Sequence, residues 1–260
     1  MKIRSAWIIL VLISCTNAIP IWAKPAAIAS NPTDKWRGQF FQAPPLPDNG
    51  APTGRPRGAA GRGNNCVEQP PLTALVPATE QPLGQEQRAT YVWGKTVAEY
   101  PTFWFYVPYS RASLRSLEFV LQADDNDVYR TPIKLPEIPG VVSLQLPSTL
   151  MPLKIGKLYH WFFKTKVGCD AQKPSDVEDY VEGWVQRVSL SPTLARQLEV
   201  ATPQQRLRIY AANGIWYEAL TTLGKLRLAA PKDATLNAHW AELLQSVGLG
   251  DIASKPLTPK

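Results

Sequence analysis

The clearest hydrophobic pattern in the chain lies at residues 100–109, where six of the ten residues are aromatic. Side chains alternate between the two faces of a strand, so Phe103 and Phe105 share one face and Trp104 and Tyr106 share the other. Aromatic residues favour a pleated, half-buried surface. Because both faces carry large aromatic side chains, the pattern predicts a central strand that is covered on both sides.

Further strand patterns lie on both sides of this stretch, each bounded by turn residues. They are residues 72–76, 89–93, 116–123, 127–135, 141–146, 158–167 and 180–190. About eight short strands with turns between them favour an Ig-like antiparallel β-sandwich. We therefore predict a sandwich domain at residues 66–190.

The periodicity becomes helical at residue 191. Ser191 followed by Pro192 predicts a helix start, and Thr202 with Gln205 predicts a capping box for a second helix. Residues 215–230 and 234–247 repeat apolar side chains at helical spacing. The predicted class is thus α+β, with a small helical unit at residues 191–250 and a frayed tail at 251–260.

The second and third predicted helices resemble a single tetratricopeptide repeat. The residues that carry the likeness are Ala211, Gly214, the segment 217–220 and Pro231. Such repeats need neighbours to bury their faces, so one repeat does not make a long groove. We expect the unit to be structural and docked on the sandwich.

The first 23 residues have the pattern of a signal peptide: Lys2 and Arg4 precede an apolar run, and Ala23 ends a small-residue cleavage site. The alternative is a lipobox that places a lipid on Cys15. Both alternatives predict an exported protein of the periplasm, cell envelope or extracellular space, with no transmembrane helix in the mature chain. Residues 24–65 are rich in Pro, Gly and Arg, which predicts a disordered linker.

The formal net charge is +7, and much of the excess lies between residues 31 and 65. Since this charge falls in a predicted linker of an exported protein, we do not expect nucleic-acid binding. Without Cys15, the remaining pair Cys66 and Cys169 predicts one disulfide. Closing a loop of about 100 residues stabilises a fold by roughly 4–5 kcal/mol in the chain-entropy description.

Few residues in the chain suggest chemistry. His160 and His239 have no metal-site spacing, and the cluster at residues 124–127 predicts a hairpin turn, with calcium binding as the alternative. No nucleophile elbow, phosphate loop or dinucleotide fingerprint is present. We therefore predict no catalytic residue, cofactor or metal ion. The candidate ligand-binding aromatics are Trp104, Trp161 and Trp184, with core packing as the competing role.

Several of these segments together resemble a cyanobacterial secreted family known as domain of unknown function 928. The resemblance covers residues 66 to about 249 and includes Cys169. Its segments are residues 72–77, 100–109, 128–130, 180–188 and 213–220. It implies an exported envelope protein, and it brings no activity and no catalytic residues to this chain.

These observations lead to a ranked set of functions. We predict a non-enzymatic interaction module of the periplasm or cell envelope, whose partner is an envelope protein or a glycan. The alternative is a protein that binds carbohydrate or peptidoglycan through an exposed tryptophan. The third is a hydrolase that uses His160 and a carboxylate from residues 176–182.

Overall fold

The computed structural model of the chain describes residues 40–46, 53–58, 68–82, 87–168 and 176–258. These residues form nine strands, then four α-helices and a short 3₁₀ helix at Gly250–Ile252. The strands are β1 (Thr73–Ala74), β2 (Ala78–Pro82), β3 (Arg88–Thr96), β4 (Thr102–Val107), β5 (Leu114–Ala123), β6 (Asn126–Pro132), β7 (Gly140–Gln145), β8 (Leu158–Gly168) and β9 (Asp176–Arg187). The helices are α1 (Pro192–Val200), α2 (Pro203–Ala212), α3 (Trp216–Ala229) and α4 (Ala234–Gln245). The mixed α+β class is therefore confirmed.

The strands form two sheets, one of six strands in the order β2-β3-β9-β8-β5-β6 and one of three in the order β1-β4-β7. All neighbouring strands are antiparallel except β3 and β9, which run parallel with Trp93 opposite Trp184. The β5–β6 hairpin turns at Asp124 and Asp125, whose φ angles are 51° and 61°. Two successive positive φ angles match the twist of a hairpin, and the predicted turn is confirmed.

Strand β4 lies in the middle of the three-stranded sheet, and all of its residues are buried. On one face, the Phe105 ring stacks on Phe163 of β8 at a centroid distance of 4.0 Å, and Phe103 lies 4.9 Å from Phe119 of β5. These rings join the two sheets face to face. Trp104 points to the opposite face. The prediction of a central strand covered on both sides is confirmed.

The helices cover the outer face of the three-stranded sheet, where Trp104 is the central contact. Its Nε1 donates to Thr221 Oγ1 of α3 over 3.1 Å, and its ring lies 6.1 Å from that of Trp240 in α4. Tyr217 of α3 also reaches the larger sheet, because its hydroxyl accepts a hydrogen bond from Trp161 Nε1 over 3.1 Å. The described residues from 40 onward thus form one compact unit of two sheets and a helical layer.

The helix starts follow the capping signals in the sequence. The Ser191 side chain accepts a hydrogen bond from the backbone of Leu194, and Thr202 forms a reciprocal capping box with Gln205. Gly214 ends the α2 region with a φ of 68°, a conformation that favours glycine. The helix starts therefore lie where the local capping residues predict them.

The prediction of a disordered linker is wrong for two stretches inside residues 24–65. Residues 40–46 include the buried Phe41, whose ring meets Trp216 edge-on at 4.8 Å. Residues 53–58 extend both sheets by single β-bridges. The bridges join Thr53 to Tyr91, Arg55 to Glu182 and Arg57 to Thr73. Backbone hydrogen bonds and the Arg55 side chain fix this second stretch despite its Gly-rich and Pro-rich composition.

The prediction of a frayed tail is also wrong for residues 256–258. Val141 of β7 donates its N–H to Pro256 O and accepts from Thr258 N, both over 2.8 Å. Gly140 allows this approach, because a Cβ there would lie 2.7 Å from Thr258 Oγ1. The tail therefore covers part of an edge strand that would otherwise be unpaired.

Several predictions fall outside the described residues. They concern the signal peptide at residues 1–23, the lipid on Cys15 and the disulfide between Cys66 and Cys169. These stay predictions. Among the described residues, no helix combines the length and the apolar character needed to cross a membrane.

Candidate functional site

Three side chains form a row across the outer face of the six-stranded sheet. Gln122 of β5 lies opposite His160 of β8, and His160 lies opposite Trp184 of β9. Their chain neighbours Leu121 and Trp161 are buried between the sheets. Because successive residues of a strand alternate, the row points away from the core.

The two rings of this row are held against each other. The Trp184 and His160 rings stack with centroids 4.2 Å apart and an interplanar angle of 6°. Trp184 Nε1 donates to the carbonyl of Thr53 over 3.0 Å, so the structured part of the linker also fixes the indole. His160 in turn lies 4.1 Å from the Phe162 ring. Trp184, His160 and Phe162 thus form a continuous aromatic surface, which we call the aromatic wall.

The three candidate tryptophans differ in their environment. Trp104 and Trp161 are 3% and 0% exposed, and both indole N–H groups are bonded inside the core, to Thr221 and Tyr217. Their rings fill the core and are closed to a ligand. Trp184 is partly exposed and is the candidate that lines a pocket.

His160 also meets a carboxylate. Its Nε2 lies 3.0 Å from Glu182 Oε2, with the two side chains 18% and 23% exposed. The geometry therefore brings together His160 and one member of the acidic segment 176–182, as the hydrolase hypothesis requires. An imidazole beside a carboxylate can hold and move a proton. The Nε2 atom of His160, however, is directed at Glu182, and the stacking of the imidazole ring on Trp184 holds it in that orientation.

The other polar and charged side chains of the site are Gln122, Asp124 and Asp125, from the β5–β6 hairpin, and Lys157, just before β8. We call these four side chains the charged rim. Lys157 Nζ lies 2.6 Å from Asp124 Oδ2, and this hydrogen bond raises the pKa of Lys157. Gln122 Nε2 donates to Asp127 Oδ1 over 2.9 Å, and this bond, with one from Arg130, lowers the pKa of Asp127. Local hydrogen bonds and an ion pair thus hold these side chains in place.

An open pocket of about 330 Å³ lies between the aromatic wall and the charged rim. It is lined by Gln122, Asp124, Asp125, Gly156, Lys157, Leu158, His160 and Trp184. Ligand sites commonly combine apolar or aromatic surface with a few fixed polar groups. Here an indole edge and an imidazole face carboxylate oxygens, an amide and an ammonium group, an arrangement suited to a ligand with many hydroxyl groups.

Only part of this pocket could be predicted from the sequence. Trp184 and His160 were singled out separately, and the residues 124–127 were predicted as a turn. Gln122 and Lys157 gave no signal in the sequence, because their role depends on the register of β5 against β8. Among the described residues, no group of three or more His, Cys, Asp or Glu side chains could hold a metal ion.

A sequence model of the family described as Domain of Unknown Function (DUF928) matches residues 57–257 of the chain. The chain belongs to the DUF928 family. The match begins in the segment bridged to the sheets and ends in the tail that pairs with β7. The DUF928 region therefore includes both sheets, all four described helices and the pocket. No curated protein is similar in sequence to this DUF928 protein.

Proposed function

We propose that this DUF928 protein is a non-enzymatic binding protein of the cell envelope, and that the pocket beside Trp184 takes a carbohydrate. The observation that carries the proposal is the exposure of Trp184. It alone among Trp93, Trp104, Trp161 and Trp184 is not buried, and it lines a pocket opposite fixed polar groups.

The chemistry of the pocket fits a sugar better than an apolar ligand. The C–H face of a pyranose packs on an aromatic ring, and its hydroxyls donate to carboxylates such as Asp124 and Asp125. Gln122 and Lys157 supply further polar contacts at the same rim. A preformed site lowers the entropy cost of binding. The rigid stacking of Trp184 on His160 provides this preorganisation.

The proposal is tested by sedimenting the purified mature protein with peptidoglycan sacculi and with insoluble polysaccharides. We expect saturable binding to one of these glycans and a loss of at least roughly tenfold in affinity, about 1.4 kcal/mol, for Trp184→Ala. Met151→Ala is the control, since Met151 is an exposed hydrophobic side chain outside the pocket. Equal binding by wild type and Trp184→Ala would overturn the carbohydrate site.

The contact between His160 and Glu182 favours a second candidate function, a hydrolase. In that case the purified protein would release soluble fragments from the glycan that it binds. His160→Gln and Glu182→Gln would each abolish that release. A protein that only binds leaves the mass of the recovered glycan unchanged, so mass spectrometry of the glycan separates the two functions.

The envelope location and the finer fold assignments belong to the same proposal. We infer export through residues 1–23 or a lipid on Cys15, an Ig-like sandwich, and a tetratricopeptide-like pair formed by α2 and α3. Intact mass measurement of the protein recovered from its membrane and periplasmic fractions distinguishes cleavage after Ala23 from lipidation. The same measurement with and without reductant detects the predicted bond between Cys66 and Cys169.

A further inference from the structure

The three-stranded sheet ends at β7, and the tail covers only part of that edge. Val141 uses both of its outward backbone groups on the tail, since its N–H donates to Pro256 O and its C=O accepts from Thr258 N. Alternate residues of a strand direct their backbone groups to the same edge, so Ser143 and Gln145 direct theirs outward as well. No residue that the structure describes forms a hydrogen bond with the outward groups of Ser143 and Gln145. This part of the edge is therefore free to pair.

Strand β7 lacks the protection that the edge strands of the larger sheet carry. Charged side chains and proline on an edge strand discourage the addition of a further strand. In the larger sheet, the edge strand β2 contains Glu80 and Pro82. The other edge strand, β6, contains Asp127, Arg130 and Pro132. The sequence of β7, Gly-Val-Val-Ser-Leu-Gln, contains neither a charged residue nor a proline, so its edge is suited to pairing.

An apolar groove lies beside the open part of this edge. It has a volume of about 490 Å³ and lies between β7, the segment that joins β6 to β7, and the tail. Lys134 and Glu137 carry opposite charges at this groove, which favours an uncharged occupant. Ile138 is 59% exposed, so part of the apolar surface is accessible to a partner. The apolar lining includes Ile133, Leu135, Ile138, Val142, Leu144 and Leu257.

We propose that β7 and this groove bind an extended, uncharged segment of a partner protein, which adds to the three-stranded sheet as a further strand. The backbone of the segment bonds to Ser143 and Gln145, and main-chain bonds of this kind supply the affinity in strand addition. Side chains of the segment that lie opposite Val142 and Leu144 share their face and enter the groove. Because side chains alternate along a strand, the partner segment has apolar and polar residues at alternate positions.

The tail of the chain supports this assignment. Residues 256–258 already pair with β7, with Leu257 parallel to Val141, so this edge accepts an added strand. Leu257 also lines the groove, as an apolar residue of the partner would. The groove shares no lining residue with the pocket beside Trp184, and the proposal does not rest on carbohydrate binding.

The test is an NMR titration of the ¹⁵N-labelled mature protein with the acetylated and amidated hexapeptide Val-Thr-Val-Thr-Val-Thr. We expect saturable shifts of the Ser143 and Gln145 amide signals. The hexapeptide Ser-Thr-Ser-Thr-Ser-Thr lacks the apolar side chains and should not bind. Two further peptides carry N-methyl groups on either the valine or the threonine amides. Only one set of amides faces β7, so one form should lose binding and the other should keep it.

Two substitutions test the assigned contacts. Ser143→Pro removes a donor that faces outward, and proline is tolerated at such edge positions. Ile138→Glu places a charge in the groove at an exposed position, where the cost to folding is small. We expect each to lower the affinity for the Val-Thr hexapeptide about tenfold or more. Met151→Glu is the control, since Met151 is 82% exposed and lies outside the groove.

Equal effects of the two methylated forms, or unchanged affinity in both groove variants, would overturn the proposal. Two other occupants give results of their own. Peptide binding only after removal of residues 259–260 would mean that the chain's own end fills the edge. A dimer in analytical ultracentrifugation that Ser143→Pro dissociates would identify a second copy as the occupant. Either result would contradict a partner segment.

Discussion

Gly183 of β9 is packed closely between the neighbouring strands β3 and β8 of the larger sheet. A Cβ at this position would lie 2.5 Å from Trp161 Cζ2 and 2.7 Å from Val92 Cγ1. Overpacking a core of this density costs about 1–3 kcal/mol. We therefore expect Gly183→Ala to lower the free energy of unfolding by that amount in urea denaturation. Gly250→Ala, whose nearest neighbour atom would be 3.8 Å away, is the control and should leave the midpoint unchanged.

Glu218 should make the stability of the protein depend on pH. Its pKa in the folded state is raised above 4.5, so between the two values the folded protein keeps a proton that the unfolded chain has released. The free energy of unfolding therefore falls as pH rises through that interval. Glu218→Gln removes the titrating group. We expect its stability relative to wild type to increase with pH when unfolding is measured in ligand-free buffer from about pH 4 to about pH 8.

Parallel stability curves for wild type and Glu218→Gln over that range would contradict this assignment. Asp251 is a useful internal contrast. Hydrogen bonds from Arg57 lower its pKa, so its contribution to stability is present above its unfolded value of 3.8 and is lost as pH falls. The two carboxyl groups thus act in opposite directions as pH changes.

At the scale of elements, the segment 53–58 is held by an ion pair with a buried carboxylate. Arg55 Nη2 lies 3.0 Å from Asp179 Oδ1, and Asp179 is 2% exposed and also accepts from the Tyr109 hydroxyl. Arg55→Ala removes this ion pair from the buried carboxylate. We expect a loss of about 1–3 kcal/mol in the free energy of unfolding. Thermal or urea denaturation of the purified variant measures the loss.

The control for this change is a second arginine–carboxylate pair. Arg88 and Glu80 lie 3.2 Å apart at the surface, with side chains 74% and 60% exposed. Pairs of this kind contribute about 0–1 kcal/mol. A cost for Arg55→Ala no larger than that for Arg88→Ala would show that the segment 53–58 does not stabilise the sheets.

Elements with a local signal could be predicted from the sequence, and elements without one could not. The alternation in β4, the turn at Asp124 and the caps at Ser191 and Thr202 are all encoded within a few residues. The bridges of residues 53–58 depend on partners far along the chain, and Pro and Gly in that stretch weigh against a strand. The parallel pairing of β3 with β9 is equally non-local.

The candidate site, too, could be predicted from the sequence only where a local pattern marks its residues. The sequence places Trp184 and His160 on strands, but their stacking depends on the register of β8 against β9. A shift of one residue would turn either ring into the core. In the sequence, Trp104 and Trp161 cannot be told apart from Trp184, because each is a tryptophan within a strand. Only the packing of α3 on one sheet and of the two sheets on each other separates the buried rings from the partly exposed one.

At the scale of the whole molecule, the helices and the sheets share one core. Trp216 of α3 is fully buried and donates to the carbonyl of Leu75 over 2.8 Å, beside β1. Tyr217 accepts from Trp161 and donates to the carbonyl of Trp184 over 3.3 Å. Since α3 supplies side chains to the packing of both sheets, we expect the sandwich and the helical unit to unfold together.

Gly224 offers a test of this cooperativity, because it faces Trp104 across the boundary between helix and sheet. A Cβ there would lie 2.6 Å from Trp104 Cη2, so Gly224→Leu forces α3 away from β4. We expect hydrogen exchange in urea, followed by mass spectrometry, to show peptides from α3 and from β8 losing protection at the same lowered denaturant concentration. Lys225→Leu, at the next and exposed position, should leave both unchanged. Loss of protection in α3 alone would mean that the helical unit is a separate domain.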